Sequence, residues 1–140
     1  MSDHGEIASI IARNAFRVDD MALDNFGDDW FDEATLTYID VDGNRYHCAS
    51  LAEILSMIRS SYQPPLSQPC LHIVTTPVID LDGDRARVRY YTIHTRHGPM
   101  AQPCGVGEYD VNMRKDGEGR WRITAMTQVQ RLAYDRTEAA

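Results

Sequence analysis

Apolar residues in the first patterned stretch, "EIASIIARNAFRV", recur at Ile7, Ile10, Ile11, Ala15 and Val18. That spacing predicts a helix over residues 6–18 with one apolar face. Asp19 follows four residues after Ala15 and eight after Ile11. A helix that runs so far turns Asp19 the same way as the apolar face and Asp20 away from it. A short second helix is predicted over about 20–26, with Leu23 and Phe26 inward and Gly27 as its stop. "FDEATLTYID" then enters a strand, "DVDGN" turns and "RYHC" returns, which predicts a hairpin. Ser50 and Glu53 form a capping box that opens a helix through Leu51, Ile54, Leu55 and Ile58. "QPPLSQP" ends that helix in a loop.

Four strands follow, over about 70–81, 84–96, 105–115 and 120–132, with Asp-Gly turn signals in "DLDGD" and "KDGEG". Helices come first and strands later, an α+β order. The expected fold is a cone: a strongly curved, mostly antiparallel sheet wrapped around the N-terminal helices, with a pocket inside. The pattern predicts one domain over 1–140, with its core at about 5–132 and a loose tail, "YDRTEAA".

Alternation along the strands sorts their side chains. His72, Val74, Thr76 and Val78 share one face, and Leu71, Ile73, Thr75 and Ile79 the other. Both faces are largely apolar, so this strand is expected to be covered on both sides. In the next strand Ala86, Val88, Tyr90, Thr92 and His94 share a face, while Arg85, Arg87, Arg89 and Tyr91 lie opposite on a solvated or interface side. Tyr109, Val111 and Met113 alternate with Glu108, Asp110 and Asn112. The inward polar set is therefore Asp19, His72, His94 and the tyrosines Tyr38, Tyr46, Tyr90 and Tyr109. A carboxylate bonded to a histidine fixes the imidazole tautomer and raises its basicity, which suits a general base working near neutral pH. The plainer alternatives stay open: His72 as a satisfied core histidine, and Asp19 as a cap on the second helix.

Composition narrows the function classes. The chain has 140 residues and a net charge of −7, with acidic residues gathered in "VDDMALDNFGDDWFDEA". A negative surface repels phosphate backbones, so no nucleic-acid partner is expected. No charged-then-apolar leader and no apolar run near 18 residues is present, so no membrane partner is expected and the protein is expected to be soluble and cytoplasmic. Three cysteines, Cys48, Cys70 and Cys104, have no paired spacing and read as reduced, small buried hydrophobes. His94 and His97 point to opposite faces of a strand, which makes them poor joint ligands, and no metal is expected. His4 and His97 read as exposed or in loops. His47 lies on the hairpin, on a face the register leaves open.

The whole layout resembles the SnoaL-like branch of the nuclear transport factor two-like superfamily. The resemblance spans about residues 5–132 and is carried by the first helix ending in "RVDD", then "WFDEATLTY", "HIVTTPVIDLDGDRARV" and "GEYDVNMRKDGEGRWRI". In dehydratase- and dehydrochlorinase-type members an aspartate ends the first helix. A histidine opens a strand that reads His-x-x-x-Asn before an Asp-Gly-Asp turn. Asp19 and His72 fall on those positions, and Thr76 stands where relatives have asparagine.

In scytalone dehydratase and hexachlorocyclohexane dehydrochlorinase such a pair removes a proton from carbon. The resemblance therefore implies His72 as general base and Asp19 as its orienting partner. It further implies His94 and one of Tyr38 or Tyr46 as substrate-polarising groups, with Asn14, Thr76 and Tyr90 lining the site. The dehydrochlorinase's helix lysine and last-strand arginine are replaced by Asn14 and Met126, which favours a polar, uncharged substrate. Polyketide cyclases of this branch use the same parts for ring closure.

The reading is thus a cofactor-independent lyase, isomerase or cyclase acting on a hydrophobic small molecule by dehydration or polyketide-type cyclisation. The pocket is expected between the first helix and the sheet, lined by Asp19, His72, Tyr38 and His94, with the sheet back pairing in a homodimer or homotrimer. The alternative is a non-catalytic binding module, or a small structural subunit of a ring-hydroxylating oxygenase. In that case the pocket would be filled by side chains, or Asp19 and His72 would lie too far apart to share a water.

Overall fold

The computed structural model describes residues 1–61, 70–96 and 102–133. The tail, most of the loops "SYQPPLSQPC" and "RHGPMAQPCG", His97, and the side chains of Cys70 and Cys104 lie outside the described residues. In order the elements are α1 (Asp3–Asp19), a 3-10 helix (Leu23–Asp29), β1 (Trp30–Ile39), β2 (Arg45–Cys48), α2 (Leu51–Ser61), β3 (Cys70–Val74), β4 (Val78–Asp82), β5 (Arg85–Arg96), β6 (Gln102–Lys115) and β7 (Trp121–Ala133). The strands form one sheet in the order β2-β1-β7-β6-β5-β3, with β4 also on β5. Every pairing is antiparallel except β1 with β7. Register shifts in β1, β5 and β6 bend the sheet into the expected cone, since an extra residue on one strand increases local bend and twist.

Helix α1 lies against the concave face and is fastened along its length. Ser2 Oγ accepts the Gly5 N–H at its start. Asp3 and Glu6 in its first turn accept the indole N–H and main-chain N–H of Trp121 at 3.0 and 3.2 Å. At mid-helix Asn14 Oδ1 accepts the indole N–H of the fully buried Trp30 at 3.0 Å. Arg13 and Arg17 both grip the buried Asp29, at 2.7 and 2.8 Å. Ile7, Ile10 and Ile11 enter the core beside Phe26, Trp30, Ile54, Val88, Val111, Trp121 and Ile123. The helix ends in a Schellman pattern, Ala22 N–H to Arg17 C=O and Met21 N–H to Val18 C=O. Met21 takes the left-handed position, with φ of 51°. That conformation costs a non-glycine residue roughly 1–2 kcal/mol, and it leaves Asp19 in the last helical turn.

Several expectations change. The helix predicted at 20–26 is a 3-10 helix at Leu23–Asp29, and Gly27 lies inside it rather than stopping it. Glu53 does take part in a capping arrangement with Ser50, but its carboxylate accepts from Ala49 N–H. The strand predicted at 70–81 is two strands. Pro77 has no N–H to give to the ladder, so pairing with β5 lapses at 75–77 and resumes one residue out of register. Thr75 bridges the gap: its hydroxyl accepts from Tyr91 N–H and donates to Tyr91 C=O. The slip reverses the faces, so His72 and Val74 point inward in β3 but Ile79 does in β4. The expectation that both faces are covered fails, because Leu71, Ile73 and Val78 are exposed. Thr76 falls in the gap and is exposed.

Candidate functional site

Alternation on the described strands gives the concave face a polarity gradient. Deep in the cone lie Ala86, Val88, Val111, Met113, Ile123 and Met126, all buried. Toward β3 and the ends of β5, β6 and β7 the inward residues become Tyr90, Tyr109, Thr92, Gln128, Gln130, His94 and His72. The apolar end forms the core, and the polar end gathers the two histidines and their polar neighbours.

There Asp19 meets His72 in a two-point contact. Asp19 Oδ2 accepts the His72 main-chain N–H at 3.0 Å, and Oδ1 lies 2.5 Å from ring Nδ1. The two side chains keep only 7 and 12 % of their surface exposed. β3 is an edge strand, paired on one side with β5, and the His72 N–H points to its free edge. Asp19 therefore covers an edge donor and orients the ring with one carboxylate. A carboxylate can only accept, so the proton on the Asp19–ring bond belongs to Nδ1, and in the neutral ring Nε2 carries a lone pair. Local physics alone does not favour an acid here, because the C-terminal end of a helix is its negative pole.

His94 stands directly across from His72 in the β3–β5 register. The rings meet edge-to-face, with centroids 4.5 Å apart and planes at 65°. His94 Nε2 shares a 2.8 Å hydrogen bond with Thr92 Oγ1. Burial first, and then the neighbouring His72, lower the His94 pKa to about 4, against a smaller opposing pull from Asp19. His94 is thus neutral at pH 7. This has a stability consequence. Histidine in the unfolded chain titrates near 6.5. Below that pH the unfolded state binds the proton first, so stability falls as pH drops from 6.5 and levels off near 4. The depression is worth about 3 kcal/mol at most. Urea titrations at pH 7 and pH 4.5 are expected to show this loss in the wild type and a smaller one in His94→Phe.

The remaining candidates divide. Tyr38 faces inward and its hydroxyl donates to Gln130 Oε1 at 2.5 Å. Burial, then Asp40 and Tyr46, raise its pKa, which keeps the hydroxyl protonated. Tyr90 is buried against Tyr109, ring centroids 5.0 Å apart, and burial raises its pKa well above the ordinary value. Asn14 is committed to Trp30 and fastens α1. Tyr46 shares the face of Tyr38 but lies on edge strand β2 and is 53 % exposed, so it is not an inward group. Thr76 is not brought to the dyad. His47 is exposed beside Thr37. Cys48 is buried, and burial first raises its thiol pKa.

A cleft of about 420 Å³ opens beside the dyad, lined by Ala12, Ala15, Phe16, Asp19, Asp20 and residues 71–74 of β3. Consecutive β3 residues line it, so it runs along the free edge between strand and helix. Asp19 and His72 line it as expected, but Tyr38 and His94 do not. Thr92 and Gln130 join the polar end without having been singled out from the sequence. Continuing the alternation of β7 from Met126 through Gln128 would have placed Gln130 inward.

Comparison with known proteins agrees with this architecture. The sequence model of the SnoaL-like domain matches residues 1–127. No curated protein matches the chain. Among solved structures, a nuclear transport factor two-like protein with a cystatin-like fold from Novosphingobium aromaticivorans superposes with a TM-score of 0.77 at 19% identity, over 98% of this chain and 87% of that one. The beta subunit of a candidate aromatic-ring-hydroxylating dioxygenase from the same organism gives 0.72 at 18% identity, over 98% and 94%. A protein from Catenulispora acidiphila in complex with S-DNPA gives 0.75 at 12% identity, over 97% and 96%. At these identities the likeness is one of fold.

Proposed function

Since the chain belongs to the SnoaL-like domain family, we propose that its 140 residues work as one domain, a cofactor-independent acid–base enzyme that removes a proton from carbon in a hydrophobic small molecule. The observation that carries this reading is the two-point grip of Asp19 on His72. A bound, desolvated carboxylate that fixes Nδ1–H leaves Nε2 to accept a proton. The substrate C–H must be acidic enough for imidazole, which means a position next to a carbonyl. The proton passes from carbon to Nε2, and the electron pair of the C–H bond moves onto the carbonyl oxygen as an enolate. Asp19 stabilises the imidazolium that results. His72 then returns the proton to a departing hydroxyl in dehydration, to another carbon in isomerisation, or to the new alkoxide in aldol ring closure. Neutral His94 places no second cation beside the imidazolium.

The test is deuterium exchange. Cyclic ketones such as 2-tetralone are incubated in D₂O, and loss of the α-proton signal is followed by NMR. The wild type is expected to accelerate exchange over buffer. No acceleration across a panel of mono- and bicyclic ketones would favour the non-catalytic reading, a binding module or oxygenase subunit.

The same proposal includes self-association in the cytoplasm. Ile73, Ile93, Val106 and Leu132 are register neighbours on the convex face, and Ile73, Ile93 and Leu132 are exposed there. An exposed apolar row crossing four strands, flanked by the Arg87–Asp110 and Arg131–Glu108 pairs, suits a second copy. Sedimentation is expected to show a dimer or trimer, and a monomer for Ile73→Asp with Leu132→Asp. A monomeric wild type would contradict this.

A further inference from the structure

The dyad supplies a base but nothing that holds the substrate's oxygen. The opposite side of the polar end does. Gly105 and Gly107 of β6 sit on the concave face, register partners of His94 and Thr92. Neither has room for a side chain. A Cβ at Gly107 would lie 2.9 Å from both Thr92 Oγ1 and the Tyr109 ring, and one at Gly105 would lie 3.0 Å from the Leu132 carbonyl oxygen and 3.2 Å from Gln130 Nε2. The two glycines thus make a low floor beside the histidines, and the Gln130 amide lies over it. Gln130 is oriented. Its Oε1 accepts from Tyr38, whose hydroxyl stays protonated. That turns Nε2 and its two N–H groups toward Gly105, which directly faces His94 across the strands. Directly opposed inward positions on neighbouring antiparallel strands are roughly 5 Å apart at Cβ, so the amide lies next to the His94 position, and His72 follows one strand further on. Among the described residues no acceptor holds Nε2.

We propose that Gln130 binds the substrate's oxygen: its Nε2 amide donates across the glycine floor to the carbonyl that becomes an enolate when the α-proton leaves. Tyr38 is its positioning residue. The substrate class is then a ketone or related carbonyl compound whose oxygen reaches Gln130 while its α-carbon reaches His72. This rests on the proton-transfer reading of His72, but the oxygen site can be tested apart from it.

The probes are 4-nitrophenol, whose ionised form mimics an enolate and absorbs separately from the neutral form, and 4-nitrotoluene, a neutral molecule of similar shape. The wild type is expected to prefer the phenolate and to lower the pH at which the bound probe ionises. Gln130→Leu is expected to bind the phenolate about tenfold or more weakly, the usual loss for a hydrogen bond to a charged acceptor, with 4-nitrotoluene unchanged. Gln130→Glu, which keeps the side chain's shape and puts a negative charge at the floor, is expected to repel the phenolate likewise. Tyr38→Phe is expected to move the ionisation of the bound probe back toward that of the free one. Phenolate preference in the wild type and its loss in Gln130→Leu are read without any α-proton exchange, so failure of this site and failure of the base are told apart. The proposal is overturned if Gln130→Leu keeps phenolate affinity, if it loses both probes equally, or if the wild type shows no preference for the phenolate.

Discussion

His72→Ala is expected to lose α-proton exchange by about 10²–10⁴-fold, the range a positioned general base supplies, with the fold intact. The expected stability cost is small for two reasons. His72 is on an edge strand, and its main-chain N–H, which Asp19 also accepts, survives the substitution. Circular dichroism and urea midpoints check the fold, and NMR exchange on the same sample checks the rate. A folded variant that exchanges as fast as the wild type removes His72 from the reaction.

Asp19→Asn is expected to approach the same loss by a different route. The His72 main-chain N–H can only donate, so it takes the asparagine oxygen. The amide nitrogen then faces ring Nδ1 and donates to it. The ring must carry its proton on Nε2, and the lone pair that would accept the substrate proton is gone. An aspartate-to-asparagine change of this kind leaves geometry intact while imposing the wrong tautomer, which costs a hydrolytic triad about 10⁴-fold. The variant is expected to keep 4-nitrotoluene binding, which separates lost chemistry from a lost pocket. Retained exchange would mean that Asp19 only covers the strand edge.

The fold was legible where one period ran unbroken. The helical spacing of Ile7, Ile10 and Ile11 gave α1, and the alternation from Ala86 to His94 gave the inner face of β5. Helix periodicity carries the direction of Asp19 and strand periodicity that of His72, but it was the resemblance to the SnoaL-like branch that joined the two as a pair. What was hidden depends on register and on partners far away in the chain. Apolar residues lie on both sides of Pro77, so the one-residue slip between β3 and β4 left no mark on the pattern. Tyr46 alternates correctly with its neighbours, and its exposure follows from β2 being an edge strand. The resemblance implies Asn14 as a site-lining residue, but Trp30, sixteen residues on, takes its oxygen. Alternation puts Gly105 and Gly107 on one face of β6 and Gln130 on one face of β7, but that they meet is set by the β6–β7 register, which spacing along either strand does not give.

All of the proposed chemistry depends on a bare Nε2 at His72. Long-range ¹H–¹⁵N spectra of the imidazole groups in wild type and Asp19→Asn read it directly at neutral pH. The expected result is a proton on Nδ1 and an unprotonated Nε2 in the wild type, reversed in Asp19→Asn. A wild-type ring with its proton on Nε2 would contradict the role assigned to the pair.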